Sequence, residues 1–116
     1  MSITRIGTTS RWSHLVIHNS TVYVVEVANS PDASLEVQTV EVLEQLTASL
    51  HQAGSSTSHL LMVTIFLADI RDIDAFNQIW DAWVPHGTAP VRACVQAKLA
   101  HPGYRVEIQA TAAVIR

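Results

Sequence analysis

Cysteine is nearly missing from this chain: Cys94 is the only one in 116 residues. No intrachain disulfide is possible, and no all-Cys zinc site can form within one chain. Basic residues are few and scattered, seven Lys and Arg against ten Asp and Glu. A net charge of −3 with no basic run predicts no electrostatic nucleic-acid site. Long apolar runs are also lacking. The longest apolar-rich stretch, Leu60 to Ala68, is broken by Thr64 and is about half the ~20 residues a membrane helix needs. Met1 to Thr9 has no apolar core of signal-peptide length, so the expected setting is cytoplasmic. HExxH, CxxC, P-loop and Gly-rich dinucleotide motifs are absent, and no serine sits in a nucleophile elbow.

What is present is a core-forming composition, 48% hydrophobic and 15% charged. It excludes a disordered tail, and the length suits one domain over residues 1–116. Leu15-Val16-Ile17 and Val22-Tyr23-Val24-Val25 read as a hairpin across Asn19-Ser20, with a short strand at Thr4 to Gly7 before it. From Ser34 to Ala53 the period becomes helical. Val37, Val40, Leu43, Leu46, Leu50 and Ala53 share a face, Gly54 suits a left-handed cap, and either Asp32 or Ser34 is the N-cap. Leu60 to Ala68 reads as a buried strand. A second helix, capped by Asp72, runs to about Val84 on a stripe of Ile73, Phe76, Trp80, Trp83 and Val84, with Asn77 beside it. Val91 to Leu99 and Arg105 to Val114 alternate as strands, and His101 to Tyr104 reads as the turn between them. The expected class is α+β: a mixed sheet with two helices on one face, the other face awaiting a cover that a second subunit can supply.

Six histidines raise the question of a metal. His14 and His18 have the spacing of a helix but fall in a strand, which separates them by ~13 Å, and no metal site is expected. Cys94 on a strand reads as a structural thiol. Arg92, set among Val, Ala and Cys, is costly to bury unless it meets an anion, and its fork suits a carboxylate. Glu107, between Val106 and Ile108, either pairs with Arg92 in a structural salt bridge or serves as an acid/base that holds a water. A tight hairpin at His101 to Tyr104 would set Ala97 opposite Glu107 and Arg92 about 17 Å along the strand, so a shared site would need two subunits.

The stretch Ala89-Pro90-Val91-Arg92-Ala93-Cys94-Val95, with Val106-Glu107-Ile108-Gln109-Ala110 downstream, resembles the Rid family, the YjgF-type reactive enamine/imine deaminases. Phe76-Asn77, the Gly54 break and Thr64-Ile65-Phe66-Leu67 fit in order. Arg11-Trp12-Ser13, Val16-Ile17-His18-Asn19 and Asp81-Ala82-Trp83-Val84 are most similar to the YoaB-like branch. The resemblance implies a chorismate-mutase-like homotrimer with sites between subunits. It implies hydrolysis of 2-aminoacrylate-type enamines and imines to 2-oxo acids and ammonia, with no cofactor. By the same resemblance Arg92 grips the substrate carboxylate, Glu107 positions or activates water, backbone groups around Cys94 hold the ligand, and Asn77 stands near the site. The implied partners are a small imino or 2-oxo acid and two more copies of the chain, with no nucleic acid and no membrane. Trp12 stands where the family has tyrosine, and Val25-Glu26-Val27 where it has Ser-Gly-Gln. Glu26 then either faces the ligand, points to solvent, or pairs with a base such as Arg11.

Overall fold

The computed structural model describes residues 2–116. Three strands open the chain: β1 (Thr4–Ile6), β2 (Leu15–His18) and β3 (Thr21–Val27). β2 and β3 form the expected hairpin. Asn19 and Ser20 both have positive φ, at 52° and 64°, the two-residue turn whose twist matches that of the strands. There follow α1 (Leu35–Gln52), β4 (Leu60–Leu67), α2 (Ile73–Trp83), β5 (Val91–Gln96) and β6 (Val106–Ala113). The six strands form one sheet in the order β1-β2-β3-β6-β4-β5, with only β4 and β5 parallel. Both helices cover the same face, as the sequence implies. No helix among the described residues is long and apolar enough to cross a membrane.

Ser34 is the N-cap of α1, its hydroxyl accepting from the Val37 N–H at 3.1 Å. Asp32 instead sits in the preceding turn with φ 73°. Gly54, at φ +80°, closes the helix in the left-handed region. The buried face of α1 differs from the expected one at its first two turns. Val37 and Val40 are 48% and 42% exposed, and Leu35, Gln38, Thr39 and Val42 are buried in their place. The reason is local satisfaction of polar groups. Thr39 Oγ1 donates to the Leu35 carbonyl at 2.7 Å. Gln38 Nε2 donates to the carbonyls of Ala33 and Gly103, and Gln38 Oε1 accepts from the Arg105 N–H. Two polar side chains are thus at no disadvantage in the core, and the stripe rotates to include them.

The expected pairing of the last two strands is overturned. His101 to Tyr104 does turn, with Tyr104 N–H donating to the His101 carbonyl, but β5 and β6 are not partners. β4 lies between them, parallel to β5 and antiparallel to β6. β4 is the most continuously apolar strand and takes an interior place, while β5, carrying Arg92 and Gln96, forms the sheet edge. The 97–105 segment is anchored by Gln38 and by the Asp32 N–H, which donates to the Gly103 carbonyl at 3.1 Å. A Cβ at Gly103 would run into the Asp32 carboxylate and lie 2.8 Å from its backbone N. Gly103→Ala is therefore expected to destabilise the fold by about 1–3 kcal/mol, read as a lowered midpoint in denaturant. An unchanged midpoint would show that this loop is not clamped.

The sheet's second face is open. Tyr23 and Val25 on β3, Met62 on β4, and Val91 and Val95 on β5 all lie exposed on it.

Candidate functional site

Arg92 and Cys94 share their register with Val63 and Ile65, so they lie on the helix-covered face at the β5 edge. α2 meets them there. Arg92 Nη1 donates to Asn77 Oδ1 at 2.8 Å, and the guanidinium lies 5.5 Å from the centre of the Trp80 ring. Trp80 is in turn fixed by stacking on Phe76, with centroids 6.0 Å apart, and by Trp83, whose Nε1 donates to Thr47 Oγ1 on α1. Asp69 caps the turn of residues 70–72 that leads into α2. Its carboxylate accepts from the Arg71 N–H and guanidinium, which together hold its pKa down at about 2. Arg92 is thus a half-buried cation held on one side by an amide and a ring. Among the described residues it has no carboxylate partner.

Cys94 lies two residues along the same face, half-buried. Burial pushes its thiol above the ordinary range, with the Arg92 charge acting in the opposite direction. A thiolate is disfavoured here, so the sulfur is a poor nucleophile. Cys94→Ala is expected to keep activity within about threefold of wild type in a turnover assay. A covalent substrate adduct at Cys94, seen by mass spectrometry, would contradict this.

Glu107 lies elsewhere. It is in register with Phe66 and Val27 on the open face, half-buried. It is therefore on the opposite face of the sheet from Arg92. Two strand spacings and three residues of offset put their backbones about 14 Å apart. The structural salt bridge is not formed. One chain therefore cannot bring Arg92 and Glu107 to the same small ligand, and the cause is their opposite faces rather than a hairpin register.

The remaining candidates line a third feature. β2 begins at Leu15, opposite Val24, which leaves the β3 edge from Val25 to Val27 unpaired. Trp12 and His14 from the preceding segment and Gln45 from α1 border this edge, forming a groove of about 490 Å³. Trp12 is 63% exposed beside it. Glu26 points beneath α1 and is 6% exposed. Ser49 Oγ donates to Glu26 Oε2 at 2.5 Å, and His14 Nε2 is 3.0 Å from the same oxygen. The basic partner is therefore His14 and not Arg11. Glu107 pairs with Val27, so the groove and Glu107 adjoin, while the Arg92 ledge lies at the far edge of the sheet. The sequence reading missed Trp80 as the ring beneath Arg92, although its spacing of three from Asn77 puts both on one helix face. It also missed His14, Ser49 and Gln45 around Glu26, which come from separate elements and leave no local signal.

Residues 2–114 match the family described as Endoribonuclease L-PSP. The chain is 50% identical over 114 residues to the RutC family protein YoaB of Escherichia coli, covering 98% of this chain and all of that one. It is 42% identical to a RutC family protein of Haemophilus influenzae, over 93% of this chain and 95% of the relative. The crystal structure of a YjgF family member from Neisseria meningitidis superimposes with a TM-score of 0.96 at 39% identity, covering 100% of this chain and 98% of that one. The chain belongs to the YjgF/RutC family, the Rid family of its sequence resemblance, and stands with its YoaB-like members.

Proposed function

We propose that the protein is a hydrolytic deaminase of reactive enamines and imines derived from amino acids, working as a homotrimer with sites between subunits. The observation that carries this reading is the Arg92 ledge: a guanidinium aimed by Asn77 and Trp80 with no carboxylate of its own chain to satisfy it. Such a group binds a small carboxylate through its two-pronged fork. The uncovered apolar sheet face supports a trimer, which brings the ledge of one subunit to the groove and Glu107 of the next.

The chemistry suits these parts. An enamine such as 2-aminoacrylate tautomerises to the imine of a 2-oxo acid, whose carbon is already electrophilic. Arg92 fixes the carboxylate, and backbone groups at Cys94 orient the imine. Glu107 takes a proton from water as the oxygen bonds to the imine carbon, and the nitrogen is protonated. The resulting carbinolamine expels ammonia and leaves the 2-oxo acid. No electrons are gained or lost, so no redox cofactor is called for. The lone thiol fits a cytoplasmic setting. The nuclease activity in the family's description finds little support, because the few basic residues are scattered and the net charge is −3.

A second reading, a non-catalytic trimer that binds small carboxylates, is favoured by one observation: Glu26 places a carboxylate where the family pattern has glycine. The test is ammonia release from imino acids made in situ by an amino-acid oxidase. The deaminase reading expects release faster than spontaneous hydrolysis. Rates equal to the uncatalysed control, with 2-oxo acid still bound, would establish the binding module.

A further inference from the structure

The segment between β5 and β6 gathers donors around a cavity lined by no acid. The cavity, of about 680 Å³, opens between the end of β4 and residues 96–104, with Gln96, Lys98 and His101 on its wall and Leu99, Pro102 and Tyr104 beside them. Each of the three polar side chains presents a donor. Gln96 Oε1 accepts from the Ile70 N–H at 2.9 Å, which fixes the amide and leaves its NH2 group to the cavity. His101 Nδ1 accepts from the Gly103 N–H at 2.8 Å, so the neutral ring carries its proton on Nε2. Lys98 is exposed and makes no salt bridge among the described residues. The acid next in sequence to the cavity wall, Asp69, is engaged by the Arg71 N–H and guanidinium. The donors are also held in place. Ala97 N–H donates to the Leu67 carbonyl at one end of the segment, and the Arg105 carbonyl accepts from Ala68 N–H at the other, both at 3.0 Å. Gln38 and the Asp32 N–H fasten the Gly103 carbonyl between them, and the His101 ring lies against Tyr104 with centroids 5.2 Å apart. A frame fixed before binding spares the ligand the cost of ordering it.

We propose that this cavity binds a phosphate monoester, with Lys98 supplying the charge, Gln96 Nε2 and His101 Nε2 as further donors, and Leu99, Pro102 and Tyr104 as the wall for the ester's apolar body. Donors on three separate side chains suit a tetrahedral oxyanion, and lysine serves phosphate as a point charge, whereas the flat fork of Arg92 suits a carboxylate. The two anion sites are distinct. Gln96 stands four residues beyond Arg92, about 13 Å along β5, and Lys98 lies further still. Binding at Lys98 requires neither Arg92 nor turnover of an imine.

The test is calorimetry with phenyl phosphate, and with benzoate as a carboxylate of similar shape, on wild type, Lys98→Ala, Arg92→Ala and the double variant. Lys98 is exposed and fills no core position, so its truncation leaves the fold intact. Phenyl phosphate is expected to bind wild type and Arg92→Ala alike. Removing Lys98 from either background should weaken it at least about tenfold. In Arg92→Ala, where the ledge no longer takes a carboxylate, benzoate should bind at least about tenfold more weakly than phenyl phosphate, whose charge is greater. Amide shifts on titration with phenyl phosphate are expected to cluster at residues 96–104. No binding of phenyl phosphate, binding lost in Arg92→Ala, or binding indifferent to Lys98→Ala would overturn the site. Benzoate held as tightly as phenyl phosphate in Arg92→Ala would overturn its assignment to phosphate.

Discussion

Arg92→Ala is expected to lower kcat/KM by about 10²–10³-fold while leaving the melting transition close to wild type. The side chain is half-buried at a sheet edge and fills no core position, so truncation leaves no large cavity. What it removes is a fixed, doubly donating cation. Arg92→Lys separates charge from geometry. An ammonium keeps the charge but cannot donate to Asn77 Oδ1 and present two parallel donors at once, so no more than about a tenth of the activity should return. Asn77→Ala, which frees the guanidinium to swing, should raise KM more than it lowers kcat. If Arg92→Ala turned over imines as wild type does, the ledge would be structural and the carboxylate would be bound elsewhere.

Met62→Glu is expected to yield a folded monomer with activity reduced to the level of Arg92→Ala. Met62 is 50% exposed on the open face, flanked by Val91 on β5 and Thr111 on β6, and takes no part in the core. In an isolated chain a glutamate there meets water and costs little. In a trimer it would place a carboxylate inside an apolar interface, a penalty of several kcal/mol per copy. Assembly should fail at micromolar concentration by light scattering, and activity should be lost with it, because one chain holds Arg92 and Glu107 on opposite faces. A monomer that remained fully active would separate function from assembly and contradict the intersubunit site.

Local pattern revealed most of the elements. The Asn19-Ser20 turn, both helices and the alternation of Val106 to Ala112 follow from short-range periodicity and turn chemistry, and each is observed. Partnership between strands was not legible. A turn at His101 to Tyr104 looks like a hairpin from its residues, but the tie from Gln38 to Gly103 and Arg105 spans 65 and 67 positions and has no local signature. The same holds for the face of α1, where apolarity pointed to Val37 and Val40 while the chain buried a fully satisfied Gln38. For the site, Arg92 was legible as a charge out of place among small apolar residues. Its companion ring Trp80 and the surroundings of Glu26 depend on packing between distant elements, which composition and spacing do not record.

The most direct measurement of the central claim is activity in mixed trimers. Arg92→Ala and Glu107→Ala chains carrying different tags are co-expressed, and assemblies bearing both tags are purified. Each parent homotrimer should be nearly inactive. In any mixed trimer, one of the three subunit boundaries joins an intact Arg92 to an intact Glu107 of its neighbour, so about one third of wild-type ammonia release should return. Mixed trimers no more active than their parents would contradict a site shared between subunits.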